Sequence, residues 1–237
     1  MTSSSEARVE AARLYGIVDL GYVAADECGE VTRALIEGGV DILQLRAKGH
    51  KRREITEIAR ELVPLCRAGT VPFIVNDFVE IAREVGADGV HLGQDDGKLC
   101  EARAALPAGS LVGRSTHSPA QAQAALEEGA SYIGFGPLFP TPTKEGRPGI
   151  GLGDVKEVEA AVGSELPVFC IGGIKVGNLG EVLGAGAKRV VIVSALLQAG
   201  NIRDSCREVR GRLGRNRLDK TCNIGLESLE EKGGTSP

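Results

Sequence analysis

The sequence has no tryptophan, a single methionine and only 3% aromatic residues. Proteins that hold single-stranded nucleic acids stack the bases on aromatic side chains, and this composition offers little material for such a surface. Lysine and arginine together number 28 against 32 aspartates and glutamates, which gives a net charge of −4. Without a basic excess, binding to a phosphate backbone has little electrostatic support. We therefore expect no nucleic-acid partner.

Long apolar runs are also missing, and none approaches the roughly 20 residues that a membrane-spanning helix needs. The six cysteines lie far apart without a CxxC pair, which indicates reduced thiols and neither a disulfide framework nor a zinc site. The first residues show no basic start followed by an apolar segment, unlike a secretory signal. We expect a cytoplasmic protein with no membrane partner.

What the sequence does contain is an alternation of short β-branched runs with segments of helical period, over a length close to the ~250 residues typical of TIM barrels. This pattern predicts an α/β protein, a single-domain TIM (β/α)₈ barrel. The predicted strands are Leu14–Val18, Asp41–Arg46, Pro72–Asn76, Gly89–Leu92, Leu111–Arg114, Tyr132–Phe135, Val168–Ile171 and Val190–Val193.

The segments between these strands predict the helices, and the ends of the chain fall outside the alternation. Residues 1–13 form an N-terminal extension, residues 14–214 the barrel, and residues 215–237 a polar, flexible tail. The segment Gly136–Gly153 is too rich in glycine and proline for a helix and predicts a long loop over the barrel mouth. The predicted helices are Cys28–Glu37, Arg53–Arg67, Phe78–Val85, Cys100–Ala105, Pro119–Glu128, Val155–Val162, Val176–Gly184 and Ala195–Leu213.

In a TIM barrel, active-site residues lie at the carboxyl ends of the strands, and polar residues collect there in this chain. Gln44, Arg46 and Lys48 alternate along the second strand, so they are predicted to share one face. Two cations and an amide suit a pyrophosphate, although a surface salt-bridge face is the alternative. Asp77 and Asp96 follow the next two strands and could hold Mg²⁺ against substrate phosphates. Asp77 could instead cap the helix that begins at Phe78.

Glycines and small residues follow the seventh and eighth strands, in the segments CIGGI (residues 170–174) and IVSA (residues 192–195). Barrels frequently bind a phosphate at this position, where a glycine lets a ligand approach the backbone. A tight turn would need the same glycines, so this alternative stays open. His91 and His117 lie near strand ends as well, and each is more typical of a hydrogen-bonded structural group than of an acid or base.

Seven segments resemble the motifs of the thiamine phosphate synthase family, in the family's order and spacing from Leu14 to about Leu197. They are ILQLRAK, IVND, GVHLGQDD, GRSTHS, GFGPLFPTPTK, CIGGI and VIVSALL. The resemblance implies a transferase of thiamine biosynthesis with two phosphorylated substrates. It would join 4-amino-2-methyl-5-(diphosphooxymethyl)pyrimidine to a thiazole phosphate, with or without a carboxylate, and release thiamine phosphate and pyrophosphate.

The resemblance also implies roles for particular residues. Mg²⁺ is the implied cofactor, with Asp77 and Asp96 as its ligands. The pyrimidine-pyrophosphate site is implied at Gln44, Leu45, Arg46, Ala47, Lys48, Asn76, Ser115 and Lys144. The thiazole-phosphate site is implied at Thr141, Pro142, Thr143, Gly173, Val193 and Ser194. No role transfers to Asp19, and the tail beyond Arg215 has no counterpart in the family.

Three other functions compete with this prediction. A thiazole tautomerase of the same superfamily would keep the thiazole-phosphate site but would need no pyrophosphate site. A non-catalytic phosphate-binding or regulatory barrel would bind without turnover. A Schiff-base aldolase would need a lysine in an apolar pocket, whereas Lys48 follows its strand end and Lys144 lies in a loop. The sequence leaves the oligomeric state open, and a homo-oligomer is one expectation.

Overall fold

The computed structural model describes residues 4–141 and 148–222, with the backbone alone for residues 215–222. Within these residues, eight parallel strands close into a barrel in chain order, with the last strand paired to the first. The predicted fold class is confirmed, and no predicted strand end is wrong by more than two residues. The strands are β1 (Leu14–Asp19), β2 (Ile42–Arg46), β3 (Phe73–Asn76), β4 (Gly89–Leu92), β5 (Leu111–Thr116), β6 (Tyr132–Phe135), β7 (Val168–Cys170) and β8 (Arg189–Ile192).

Helices lie between the strands and pack against the outside of the barrel. An additional helix, Ser4–Ala11, lies within the predicted N-terminal extension. The helices are α1 (Ser4–Ala11), α2 (Cys28–Gly38), α3 (Arg52–Ala68), α4 (Val79–Val85), α5 (Leu99–Ala105), α6 (Pro119–Glu127), α7 (Val155–Ala161), α8 (Leu179–Gly184), α9 (Ser194–Leu197) and α10 (Ile202–Cys222).

Two predicted helices are divided differently in the structure. The segment predicted as one helix from Ala195 to Leu213 is two helices, α9 and α10, because Asn201 ends the connection between them. The side-chain oxygen of Asn201 accepts a 3.1 Å hydrogen bond from the backbone N–H of Asp204, which starts α10. The helix predicted from Val176 begins as a 3₁₀ turn, and α8 itself starts at Leu179.

The carboxyl end of the chain also departs from the prediction. Helix α10 continues to Cys222, beyond the predicted helix end at Leu213 and into the segment predicted as a polar tail. No helix in the described part of the chain is both long and apolar enough to cross a membrane.

The alternation of side chains along the strands creates two apolar layers. Leu43 and Leu45 of β2 point outward into the layer between strands and helices, whereas Ile42 belongs to the layer inside the barrel. Val9 of helix α1 and Ala12, directly after the helix, join the inner layer, where both are buried against the amino-terminal end of the barrel. This end of the barrel is therefore filled with side chains, and open space is left at the other end.

The two described flanks of the Gly136–Gly153 loop lie at the carboxyl ends of β6 and β7. The backbone N–H of Leu138 donates to Ile171 O at 2.8 Å, and that of Ile150 donates to Pro137 O at 2.8 Å. Leu138 is buried in the outer apolar layer. These contacts fix both flanks against the mouth of the barrel, where the loop was predicted.

Candidate active site

A cavity opens at the carboxyl end of the barrel, with about 870 Å³ of empty space when the solvent at its open mouth is included. Its walls combine an apolar floor from the inner layer with polar side chains from several strand ends. Eight of the predicted site residues line it, and they come from both implied substrate sites. They are Gln44, Arg46, Asn76, Ser115, Thr141, Gly173, Val193 and Ser194.

Arg46 is held in place by a partner that has no role in the sequence analysis. Its Nη1 lies 2.7 Å from Oδ2 of Asp19, which is paired with it across β1 and β2. Both side chains are largely buried, with 14% of Arg46 and 2% of Asp19 exposed. A charge-assisted bond between buried groups restricts the guanidinium far more than a surface ion pair would. Arg46 is therefore pre-positioned at the cavity wall.

The rest of the Gln44–Lys48 segment is divided among different surroundings. The side chains of Leu45 and Ala47 are buried in the outer apolar layer, so only their backbone atoms could contact a ligand at the mouth. Lys48 follows the end of β2, and 58% of its side chain is exposed. Its Nζ lies 3.9 Å from Oδ2 of Asp77. Of the three residues predicted to share a face, Gln44 and Arg46 line the cavity.

Asp77 and Asp96 come together at the ends of β3 and β4, close enough for the Asp96 carboxyl group to act on the pKa of Asp77. Burial, and next the negative charge of Asp96, raise the pKa of Asp77 to about 6, against the opposing effect of Lys48 and Arg46. The backbone of Asp77 is left-handed, with φ of 64°, and helix α4 starts at Val79 without a side-chain cap. The alternative reading of Asp77 as a helix cap is therefore wrong.

Arg114, a buried residue of β5, holds the segment that carries Asp96 in place. Its Nη1 donates to Gly93 O at 2.6 Å and its Nη2 donates to Gly97 O at 2.9 Å. Within the segment, the backbone N–H of Gly93 donates to Oδ2 of Asp96 at 2.9 Å. One guanidinium thus joins both ends of the turn that presents the carboxylate.

The opposite wall of the cavity consists of backbone and small side chains after β7 and β8. Gly172 and Gly173 have left-handed backbones, with φ of 100° and 64°. A Cβ atom on Gly173 would lie 2.7 Å from Cβ of Phe139, so the glycine also lets the loop flank approach. The tight-turn explanation of these glycines therefore applies, and Gly173 and Ser194 line the cavity as well.

The floor of the cavity holds a chain of hydrogen bonds that crosses the barrel. Nε2 of Gln44 donates to the hydroxyl of Tyr15 at 3.0 Å, and this hydroxyl lies 3.0 Å from that of Tyr132. The Tyr132 hydroxyl lies 3.3 Å from Nδ1 of His91, whose Nε2 lies 3.0 Å from Oγ of Ser115. Burial raises the pKa values of both tyrosines, so both hydroxyls stay protonated at neutral pH.

His117, the other ambiguous histidine, makes contacts typical of a structural group. Its Nδ1 bonds to the backbone oxygen of Gly136, and its backbone N–H donates to Oε1 of Gln121 at 2.7 Å. The first contact joins the ends of β5 and β6, and the second joins the end of β5 to helix α6.

Comparisons with known proteins match this architecture over most of the chain. Residues 14–196 match the family model described as thiamine monophosphate synthase. The chain belongs to the thiamine monophosphate synthase family. It is 46% identical to thiamine-phosphate synthase of Thermus thermophilus, over 77% of this chain and 87% of the relative. It is 42% identical to the enzyme of the same name from Streptomyces avermitilis, over 90% of this chain and 99% of the relative.

A solved structure of thiamine phosphate pyrophosphorylase from Pyrococcus furiosus is similar as well. The TM-score is 0.78 at 33% identity, and the match covers 88% of this chain and 98% of that one. The family resemblance found in the sequence is thereby confirmed. Three residues to which the thiamine monophosphate synthase motifs assign roles, Pro142, Thr143 and Lys144, lie outside the described residues.

Four residues around the site were missed when the family motifs alone were considered. Asp19 and Arg114 act on other side chains or on backbone, and Tyr15 and Tyr132 look in sequence like ordinary core residues of a thiamine monophosphate synthase barrel. One signal was available for the tyrosines, since each occupies an inward position of a strand, at which a hydroxyl needs a partner.

Proposed function

We propose that this chain couples 4-amino-2-methyl-5-(diphosphooxymethyl)pyrimidine with a thiazole phosphate and releases thiamine phosphate and pyrophosphate. Thiamine phosphate synthesis is the activity for which its family and its relatives are named. The reaction transfers a pyrimidinylmethyl group, so the chain is a transferase. A thiazole phosphate with a carboxylate would release CO₂ in addition.

One observation carries this proposal, which is that both implied substrate sites line a single cavity. Gln44, Arg46 and Asn76 form the wall at β2 and β3, whereas Gly173 and Ser194 form the wall after β7 and β8. A coupling enzyme must hold its two substrates side by side, with the reacting atoms roughly 3 to 3.5 Å apart. A thiazole tautomerase needs no pyrophosphate site, so its reaction would not require the wall that contains Arg46.

The residues of this chain supply electrostatic stabilisation and position, and no protein nucleophile is needed. Cleavage of the bond to pyrophosphate leaves negative charge on the leaving group and positive charge on the pyrimidine methylene. Arg46, held by Asp19, faces the leaving group with a fixed guanidinium, which is most effective when no reorganisation is required. The electron-rich aminopyrimidine tolerates the cation until the thiazole nitrogen attacks, so the proposed path is dissociative.

Asp77 and Asp96 fit a Mg²⁺ ion. Burial and the charge of Asp96 raise the pKa of Asp77 to about 6 despite Lys48 and Arg46, so the two carboxyl groups together favour a further cation. Mg²⁺ prefers oxygen ligands and is typically held by one or two carboxylates together with substrate phosphates. Asp96 is exposed and Asp77 is only partly buried, so substrate oxygens could reach the same ion. When bound, the ion would neutralise the departing pyrophosphate.

A Schiff-base reaction has no support at this site. Among the described residues that line the cavity there is no lysine, and Lys48 is mostly exposed to solvent. A binding protein without turnover would not require the fixed guanidinium of Arg46 next to the carboxylates of Asp77 and Asp96.

We further propose that the protein works in the cytoplasm. Of the cysteines that the structure describes, Cys28, Cys66, Cys170 and Cys206 are buried and Cys100 is exposed, and none is in a disulfide. This is the state expected in a reducing compartment.

The decisive experiment mixes the purified protein with Mg²⁺ and both substrates and follows thiamine phosphate by mass spectrometry. We expect product and pyrophosphate in equal amounts. Arg46→Ala serves as the matched variant and should lose most of the rate while it still binds thiazole phosphate. Absence of product with the wild-type protein, at substrate concentrations that calorimetry shows to be saturating, would reject the proposal.

A further inference from the structure

The hydrogen-bonded chain on the cavity floor connects side chains from five strands. Gln44 belongs to β2, Tyr15 to β1, Tyr132 to β6, His91 to β4 and Ser115 to β5. Four consecutive contacts of 3.0, 3.0, 3.3 and 3.0 Å join them in that order. All five residues line the cavity, and the two tyrosines, which are buried at its floor, connect the polar groups of Gln44, His91 and Ser115.

The barrel provides space for this chain at a specific position. Gly113 of β5 is paired with His91 on one side and with Tyr132 on the other. A Cβ atom on Gly113 would overlap Cζ of Tyr132 and lie 2.6 Å from Nδ1 of His91. Gly134, the next inward position of β6, would place a Cβ atom 3.5 Å from the His91 ring. The lack of a side chain at Gly113 is what allows the tyrosine hydroxyl to reach His91.

The donors and acceptors along the chain determine where each proton lies. The amide nitrogen of Gln44 can only donate, so the Tyr15 oxygen accepts from it. The arrangement in which each hydroxyl both accepts and donates has Tyr15 donating to Tyr132 and Tyr132 donating to Nδ1 of His91. A neutral ring that accepts at Nδ1 carries its proton on Nε2 and donates to Oγ of Ser115. Each buried hydroxyl is satisfied in this arrangement, which is the normal condition of buried polar groups.

We propose that Tyr15 and Tyr132 are positioning residues that couple the amide orientation of Gln44 to the tautomer of His91. With Nε2 of Gln44 directed to Tyr15, its carbonyl oxygen is left to accept a hydrogen bond in the cavity. At the other end, Ser115 accepts from His91 and its own proton is directed to the cavity. The hydrogen-bonded chain from Gln44 to Ser115, here called the relay, thereby presents one acceptor and one donor to the ligand. This inference rests on the proposed function only for the identity of that ligand, an aminopyrimidine with a pyrophosphate group.

The orientation is a property of the relay as a whole. If the Gln44 amide were reversed, every proton in the chain would reverse, His91 would be protonated at Nδ1, and Ser115 would present an acceptor. A pyrophosphate oxygen or a ring nitrogen, each an acceptor, would then meet a lone pair at Ser115. The two tyrosines transmit this choice across the barrel, so they contribute to recognition although neither is charged.

The relay is tested by nitrogen NMR of the histidine rings in the ¹⁵N-labelled protein without substrates, at a pH of about 8, where an ordinary imidazole is neutral. The chain has three histidines, and His91→Gln identifies the resonances of His91. We expect the wild-type ring to be protonated at Nε2. In Tyr132→Phe we expect a mixture of tautomers, whereas Tyr22→Phe, which removes the hydroxyl of the remaining tyrosine, should leave the spectrum unchanged.

A kinetic measurement gives a second result. Tyr132→Phe and Tyr15→Phe should each lower kcat/KM for the pyrimidine substrate roughly tenfold, the effect of one lost hydrogen bond, with no change in thiazole-phosphate affinity. Protonation of wild-type His91 at Nδ1, or His91 resonances in Tyr132→Phe that match those of Tyr22→Phe, would overturn the relay. If Tyr132→Phe fails to fold, the tautomer of His91 in the wild-type protein and the kinetics of Tyr15→Phe still test the relay. The NMR result holds whether or not the protein makes thiamine phosphate, so failure of the relay and failure of the proposed function are separate outcomes.

Discussion

Arg46 and Asp19 form a buried ion pair of 2.7 Å between neighbouring strands, directly at the wall of the cavity. Asp19 also accepts a 3.0 Å hydrogen bond from the backbone N–H of Gly21, so both of its oxygens are engaged. The carboxylate is therefore itself fixed before it fixes the guanidinium. An arginine held in this way loses little conformational entropy when an anion binds.

Asp19→Asn should weaken pyrophosphate binding without removing the cation. The amide keeps an acceptor but not the charge, so Arg46 is less restricted and the buried charge is less well compensated. We expect KM for the pyrimidine substrate to rise about tenfold, and the free energy of unfolding to fall by about 1 to 3 kcal/mol. Steady-state kinetics with varied pyrimidine substrate measure the first effect, and denaturant unfolding measures the second.

The matched control for this variant is Glu57→Gln, which breaks the exposed ion pair with Arg53 on α3. Exposed pairs of this kind contribute about 0 to 1 kcal/mol, so neither measurement should change appreciably. Equal effects of Asp19→Asn and Glu57→Gln would show that the buried pair does not position Arg46.

Asp96→Asn should reduce the affinity for Mg²⁺ and lower activity accordingly. Asparagine can still accept the hydrogen bond from Gly93, so the turn is preserved while one negative ligand is lost. We expect at least a tenfold weaker response to Mg²⁺ in a titration of activity, and a weaker binding signal for Mn²⁺ without substrates. Asp95→Asn, at the exposed neighbouring position, is the control. Full activity of Asp96→Asn, or of the wild-type protein in excess chelator, would remove the metal assignment.

Asp77→Asn should make the metal-free protein more stable at neutral pH. A carboxyl group with a higher pKa in the folded state binds its proton more tightly when folded, so ionisation destabilises the fold. This cost is absent below the ordinary pKa of 3.8 and is complete above about pH 6. Asparagine also tolerates the left-handed backbone at this position. We expect a gain of about 1 kcal/mol at pH 7.5, after allowance for the solvent that reaches the carboxylate.

Thermal unfolding of Asp77→Asn and wild-type protein from pH 4 to pH 8 in the presence of a chelator measures this effect. The difference in melting temperature should grow with pH and level off above pH 6. Asp26→Asn, at an exposed position, should show no such trend. A difference that is constant over the range would mean that the carboxylate pair carries no electrostatic strain.

Arg114→Met should disturb the metal site from a distance. The guanidinium bonds Gly93 O and Gly97 O, and methionine fills similar volume without either bond. We expect a loss of about 2 to 4 kcal/mol in stability, because two bonds from a charged donor are removed and two carbonyls lose their partner. The Mn²⁺ affinity should fall about fivefold while thiazole-phosphate affinity is unchanged. Arg103→Met, an exposed arginine on α5, is the control, and equal Mn²⁺ affinities of the two variants would contradict the assignment.

The architecture could be predicted from sequence because it depends on local patterns. Runs of β-branched residues and helix-ending glycines recur along the chain, and polar residues at strand ends are visible without any structure. The division of the last predicted helix into α9 and α10 depends on a cap at Asn201 that helical periodicity does not reveal. The left-handed backbone of Asp77 likewise follows from the turn between β3 and α4, and the residue type alone does not predict it.

The contacts behind the site could not be predicted because their partners are far apart in sequence. Tyr15 and Tyr132 are separated by 117 positions, and each by itself is an ordinary inward-facing aromatic residue. Arg46 and Lys48 appear equivalent in the sequence, yet the strand ends between them and one side chain is largely buried while the other is exposed. Closure of the barrel determines these relationships, and no local pattern encodes it.

Helix α1 determines at which end of the barrel the cavity opens. Its Val9, with Ala12 directly after the helix, packs against the amino-terminal end of the inner layer, and the helix is held there by the hydrogen bond from Arg189 to Glu10 O. With that end filled, the opening at the carboxyl ends of the strands serves for entry and exit alike. A departing pyrophosphate and an arriving substrate then pass through the same opening. The order in which ligands bind and leave therefore depends on access through this opening as well as on affinity.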